Sequence, residues 1–166
     1  MNQSIASLVQ TLSDLLEKSS IKIALAESCT GGLLAAHLTA QAGSSLWFDR
    51  GFVTYSNASK TESIGVSSSI IEQYGAVSEE VAKAMAQGAL NHSAAKTSIA
   101  ITGIAGPGGS TENKPVGMVC FAWAVQFPGS PALLIASTQI FDGGRQAIRE
   151  HACAYALNEL IQILRK

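Results

Sequence analysis

A chain of 166 residues has the length of one domain and can bury a core without a disulfide or metal staple. Eleven Lys and Arg stand against 12 Asp and Glu, a net charge of −1 with only 14% charged residues, which argues against a protein built to grip nucleic acid or an anionic membrane. Hydrophobic residues make up 47% of the chain, yet no unbroken apolar run approaches the ~20 residues of a membrane span. The opening segment MNQSIASLVQTLSDLLEKSS lacks a basic stretch followed by a compact apolar core, so no secretory leader is expected. Cys29, Cys120 and Cys153 show no CxxC spacing, which suits reduced thiols in the cytoplasm.

Ile5, Leu8, Val9, Leu12, Leu15 and Leu16 recur at helical spacing and predict an amphipathic helix over residues 3–18. IKIALAE, residues 21–27, is a strand-length apolar run that ends at a Ser-Cys-Thr-Gly-Gly turn, after which LLAAHLTAQ resumes helix. RGFVTYS at 50–56 has the aromatic and β-branched content of a second strand. NASKTESIG and SSSIIEQYG predict two short helices, stopped by Gly65 and Gly75. Ser78 can cap the next helix, with Glu79 and Glu80 in its first turn where the dipole favours them. SIAITG at 98–103 predicts a third strand, and the glycine-rich segment 103–114 cannot be helical. Strands at 116–126 and 132–141 follow, joined through FPGSP, and Asp142-Gly143-Gly144 opens a last helix. Alternating strands and helices with one hairpin predict an α/β/α sandwich around a mixed sheet, all 166 residues forming one domain.

Four segments could carry chemistry. In AESCTGG, residues 26–32, the strand-turn-helix places unspent backbone N–H groups at a helix start, a natural anion site where a hydroxyl can face a substrate; equally, Ser28 or Thr30 can simply cap the helix. In GFVTYSNASK, residues 51–60, Lys60 sits near a helix start against the dipole, either as a general base with a lowered pKa or as a surface lysine paired with Glu62. The connection 102–117, TGIAGPGGSTENKPVG, is long and glycine-rich, as ligand-contacting loops are, but fits neither a dinucleotide fingerprint nor a Walker A loop. In FDGGRQAIRE, residues 141–150, Arg145 and Arg149 stand one turn apart at a helix start, facing an anion or pairing with Asp142 or Glu150. His37, His92 and His151 are isolated from one another and from carboxylate clusters, which disfavours a metal site; His37 and His92 read as packing residues.

AESCTGG, GSSLWFDRGFVTYSNASK, YGAVSEEVAKAMAQGAL and ITGIAGPGGSTENKPVG together resemble the CinA carboxy-terminal domain family, in register from about residue 5 to the end. Stand-alone members of that family are nicotinamide mononucleotide (NMN) amidohydrolases. The resemblance implies a three-layer α/β/α fold and hydrolysis of the NMN carboxamide to nicotinate mononucleotide and ammonia, with no metal or other cofactor. It implies a Ser–Lys mechanism with Ser28 as nucleophile, Lys60 as base and Tyr55 as its partner. It places Thr30, Gly31, Gly32, Ser45, Thr102, Gly103, Ala105, Gly106 and Arg145 around the nucleotide. The partners expected are the small substrate and further copies of the chain in a dimer or larger homo-oligomer. The chain departs from the common GPxGG loop pattern, having Gly108, Gly109 and Ser110. The alternative reading is a nucleotide-binding regulatory or accessory module that keeps the pocket with little catalysis.

Overall fold

The computed structural model describes residues 3–166. In chain order the elements are α1 (Ile5–Ser19), β1 (Ile23–Glu27), α2 (Leu33–Thr39), β2 (Phe48–Val53), α3 (Asn57–Ile64), α4 (Ser68–Tyr74), α5 (Glu79–Asn91), β3 (Thr97–Gly103), β4 (Met118–Val125), β5 (Leu133–Ile140) and α6 (Arg145–Leu164). The strands form one sheet in the order β2-β1-β3-β4-β5. β1 runs parallel to β2 and β3, while β3–β4 and β4–β5 are antiparallel, so the expected mixed sheet is present.

Alternation along the strands builds two unlike faces. Ile23, Leu25, Ile99, Ile101, Val119, Phe121 and Trp123 join the core shared with α1, α2 and α6. Ala24, Ala26, Ala100, Ala122 and Ala124 point the other way, where α5 packs through Val81, Met85, Ala86 and Ala89. Large side chains fill the first interface; small ones let α5 lie close to the strands in the second. Helices on both faces complete the α/β/α sandwich. Among the described residues no helix is long and apolar enough to cross a membrane.

The caps explain where elements begin. Ser4, Ser56 and Ser78 each accept a bond from a backbone N–H three residues on, starting α1, α3 and α5. Ser56 also accounts for a shifted boundary. The strand expected at 50–56 ends at Val53, because Thr54 to Ser56 turn the chain into the α3 cap, although Thr54 N still donates to Glu27 O. The parallel strands β1, β2 and β3 all end on one side of the sheet, and their carboxyl ends carry the site.

Candidate active site

A cleft of about 280 Å³ opens at these strand ends, lined among others by Ser28, Cys29, Tyr55, Lys60, Thr102, Gly103, Ala105, Gly106 and Arg145. Ser28 is the first residue beyond β1, and Lys60 reaches in from α3 as a side chain only 1% exposed. Lys60 Nζ donates to Ser28 Oγ at 3.2 Å, to the Thr54 carbonyl at 2.9 Å and to the Tyr55 carbonyl at 3.3 Å. No carboxylate pairs with it among the described residues, so the surface pairing with Glu62 does not occur. Burial pushes the Lys60 ammonium below its ordinary value, and a negative Cys29 would oppose that shift. Burial raises the Cys29 thiol to about 12, which leaves it protonated at neutral pH beside the serine.

Tyr55 meets the lysine differently from expectation. Its carbonyl, not its phenol, accepts from Lys60, and the ring is 59% exposed at the cleft mouth. The phenol oxygen accepts from Arg145 Nη2 at 3.1 Å, and Arg145 Nη1 donates to the Gly106 carbonyl at 2.7 Å. Arg145, the first residue of α6, thus joins the loop after β3 to the end of β2. Arg149 pairs with neither Asp142 nor Glu150. It donates instead to the Cys29 and Thr30 carbonyls, while Glu150 is held by His37 at 2.9 Å.

The start of α2, expected to receive an anion or a hydroxyl cap, is already filled. Glu27, 1% exposed, accepts from the N–H groups of Leu34 at 2.9 Å and Ala35 at 3.0 Å. That carboxylate is the anion the helix start calls for, so neither Ser28 nor Thr30 serves as its cap. Thr30, Gly31 and Gly32 shape the turn without lining the cleft: the Thr30 side chain is buried, and the two glycines take φ of 57° and 100°. Ser45 is a second correction. It lies exposed in a 3₁₀ turn, Ser44–Leu46, that leads into the amino end of β2, whereas the cleft stands at the carboxyl end of that strand.

The loop after β3 lines the cleft as expected. The Thr102 hydroxyl is spent on the Ala76 carbonyl at 2.8 Å, pinning the chain between α4 and α5 as one wall. Positive φ falls at Gly106 and Gly109 and not at Gly108 or Ser110, so Ser110, which stands where the common loop pattern has its last glycine, takes no left-handed position. Among the described residues the N–H groups of Ala105 and Gly106 make no hydrogen bond. Sequence reasoning missed Asn57, Ala76 and Val77 as cleft residues. The YGAVSEE motif held the last two, but a helix start with a good serine cap concealed a second role for them. Among the described residues no group of three or more His, Cys, Asp or Glu side chains is placed to hold a metal ion.

A buried lysine against a serine hydroxyl, in a cleft at the strand ends of an α/β/α sandwich, is an arrangement suited to nucleophilic hydrolysis. The CinA C-terminal domain model matches residues 5–164, and the chain belongs to that family. It is 49% identical over 140 residues to the nicotinamide-nucleotide amidohydrolase PncC of Enterobacter agglomerans, covering 84% of this chain and 83% of the relative. A protein of the same name from Pseudomonas putida is 42% identical over 159 residues, 96% of each chain. Against a CinA-like protein of Mycolicibacterium paratuberculosis the identity is 52%, but the match spans only 33% of that longer relative. The crystal structure of the competence/damage inducible protein CihA from Agrobacterium tumefaciens superposes with a TM-score of 0.89 at 40% identity, covering 100% of both chains.

Proposed function

We propose that this protein is an NMN amidohydrolase, releasing ammonia and nicotinate mononucleotide through Ser28 and Lys60. The observation that carries the mechanism is the 3.2 Å contact between Ser28 Oγ and a buried Lys60 that lacks an acidic partner among the described residues. As a neutral amine Lys60 has two hydrogens and one lone pair. The carbonyls of Thr54 and Tyr55 take the hydrogens, which leaves the lone pair for the serine O–H. Lys60 accepts that proton as Ser28 Oγ bonds to the carboxamide carbon. The carbon–nitrogen bond then breaks, Lys60 returns the proton to nitrogen, and ammonia leaves. Water attacks the resulting ester and Lys60 takes its proton; the bond from carbon to Ser28 Oγ then breaks as Lys60 returns that proton to Oγ, and the acid product loses its own proton to solvent and departs as the carboxylate. The unspent N–H groups of Ala105 and Gly106 are the donors for the oxyanion. Arg145, with N–H donors to spare beyond Gly106 and Tyr55, receives the phosphate.

The two relatives named as nicotinamide-nucleotide amidohydrolases support the substrate. The whole chain acts as one domain in this reading, in the cytoplasm, as a homodimer or larger homo-oligomer without nucleic acid; its three cysteines are free and buried, as a reducing compartment permits. The test is ammonia release from NMN by the purified protein. Ser28→Ala should abolish it and Cys29→Ala should leave most of it, because the thiol stays protonated. Arg145→Ala should raise KM by about 10–150-fold through the lost charge-assisted contact, and nicotinamide riboside, without the phosphate, should be a poor substrate. Binding of NMN with no ammonia release would instead favour the accessory-module reading.

A further inference from the structure

Arg149 lies one turn into α6 and does not line the cleft, yet each of its three guanidinium nitrogens donates a hydrogen bond. Nε donates to the Cys29 carbonyl at 3.2 Å, Nη2 to the Thr30 carbonyl at 2.8 Å, and Nη1 to Gln146 Oε1 at 2.8 Å. No carboxylate pairs with it among the described residues, and Glu150 beside it is held by His37 and Gln146. The planar fork of an arginine suits two neighbouring acceptors, and here it spans successive carbonyls of the turn that begins at Ser28. A trans peptide is a rigid plane with its C=O and N–H on opposite sides, so holding those two carbonyls fixes both planes. Backbone bonds hold part of the turn: Ser28 N donates to Ile101 O at 2.9 Å, Gly31 N to Ser28 O at 3.0 Å and Leu33 N to Thr30 O at 3.0 Å. Among the described residues the Cys29 carbonyl has no donor but Arg149, two left-handed glycines follow, and the buried Thr30 hydroxyl has no partner.

We propose that Arg149 is the positioning residue of this site: by gripping the Cys29 and Thr30 carbonyls it keeps Ser28 Oγ aimed at Lys60. The inference rests on the reading of Ser28 as nucleophile. It also makes the first turn of α6 a clamp, since Arg145 one turn earlier holds Gly106 and Tyr55 across the cleft.

The experiment compares Arg149→Met and Arg149→Lys with the wild type by steady-state ammonia release from NMN and by the rate at which a fluorophosphonate labels Ser28, read by intact-protein mass spectrometry. Both rates are scaled to the folded fraction, measured by circular dichroism. Arg149→Met should lower kcat by about 10²-fold, as misplacement of a reacting group by an ångström does, and slow Ser28 labelling in proportion. KM should stay within about threefold, and Arg149→Lys, a donor without the fork, should recover part of the loss. Wild-type kcat and labelling in Arg149→Met overturn the proposal, as does a loss confined to KM or one that follows only the folded fraction. Should Arg149→Met fail to fold, unchanged kcat and labelling in Arg149→Lys overturn it. A wild type that releases no ammonia defeats the NMN reading alone: slower Ser28 labelling in the variants then still supports the clamp, and equal labelling removes it.

Discussion

The buried amine of Lys60 bears on both the proposed chemistry and the stability of the fold. An ordinary lysine is almost wholly protonated at neutral pH and is no base. Burial lowers the Lys60 value, so kcat/KM should rise with pH to a plateau as the amine loses its proton. Lys60→Arg should be nearly as inactive as Lys60→Met, because guanidinium keeps its proton. The same shift sets the sign of a stability effect. Between the lowered folded-state value and the ordinary 10.5, the unfolded chain holds a proton that the folded chain does not. Unfolding free energy of the wild type relative to Lys60→Met should therefore rise with pH across that window and be flat below it. Urea denaturation of both proteins at several pH values reads the slope, and a falling difference would contradict burial as the cause.

At the scale of elements, the segment from β1 through the turn to α2 depends on a carboxylate whose role the sequence conceals. Glu27 closes an apolar strand, where an acid reads as the strand's polar end. In the structure it folds over the start of α2 and accepts from Leu34 and Ala35, standing in for the cap that Gly32 cannot supply. Glu27→Ala should leave a buried donor at Leu34 and a half-buried one at Ala35 unpaired and cost about 1–3 kcal/mol, measured by the shift of a urea midpoint at constant slope. Glu27→Gln should cost less, since its amide oxygen still accepts one of the bonds. The serine cap at Ser78 was legible because its partner lies three residues on; the Glu27 cap bridges seven and eight residues across a turn, which no local pattern encodes.

Across the whole molecule, the unlike faces of the sheet decide where the cleft walls stand. α5 lies against alanines of β1, β3 and β4, and the chain leading into it supplies Ala76 and Val77 to the cleft. Ala100 is fully buried in β3, within the cluster that α5 packs against. Ala100→Leu should overpack this interface by about 1–3 kcal/mol and raise KM by shifting the Ala76 wall. Ile99→Val on the opposite face should cost about 0.5–1.5 kcal/mol and leave KM unchanged. Denaturation midpoints together with NMN kinetics separate the two; equal effects on KM would show that the wall does not depend on α5.

The sequence by itself determined the order of strands and helices, the hairpin of β4 and β5, the glycine loop after β3 and the serine cap at Ser78, because each follows from side-chain periodicity or bonds within a few residues. Family motifs carried Ser28, Tyr55, Lys60 and Arg145 to one site before any coordinates did. Only the tertiary structure decided that Lys60 is buried rather than paired with Glu62, and that Tyr55 offers Lys60 its carbonyl and Arg145 its phenol. It also decided that Ser45 stands at the wrong end of β2 and that Arg149 grips the turn that follows β1. These contacts join residues up to 120 positions apart. They depend on how strands stack and helices cross, and a local pattern of residues carries no record of that.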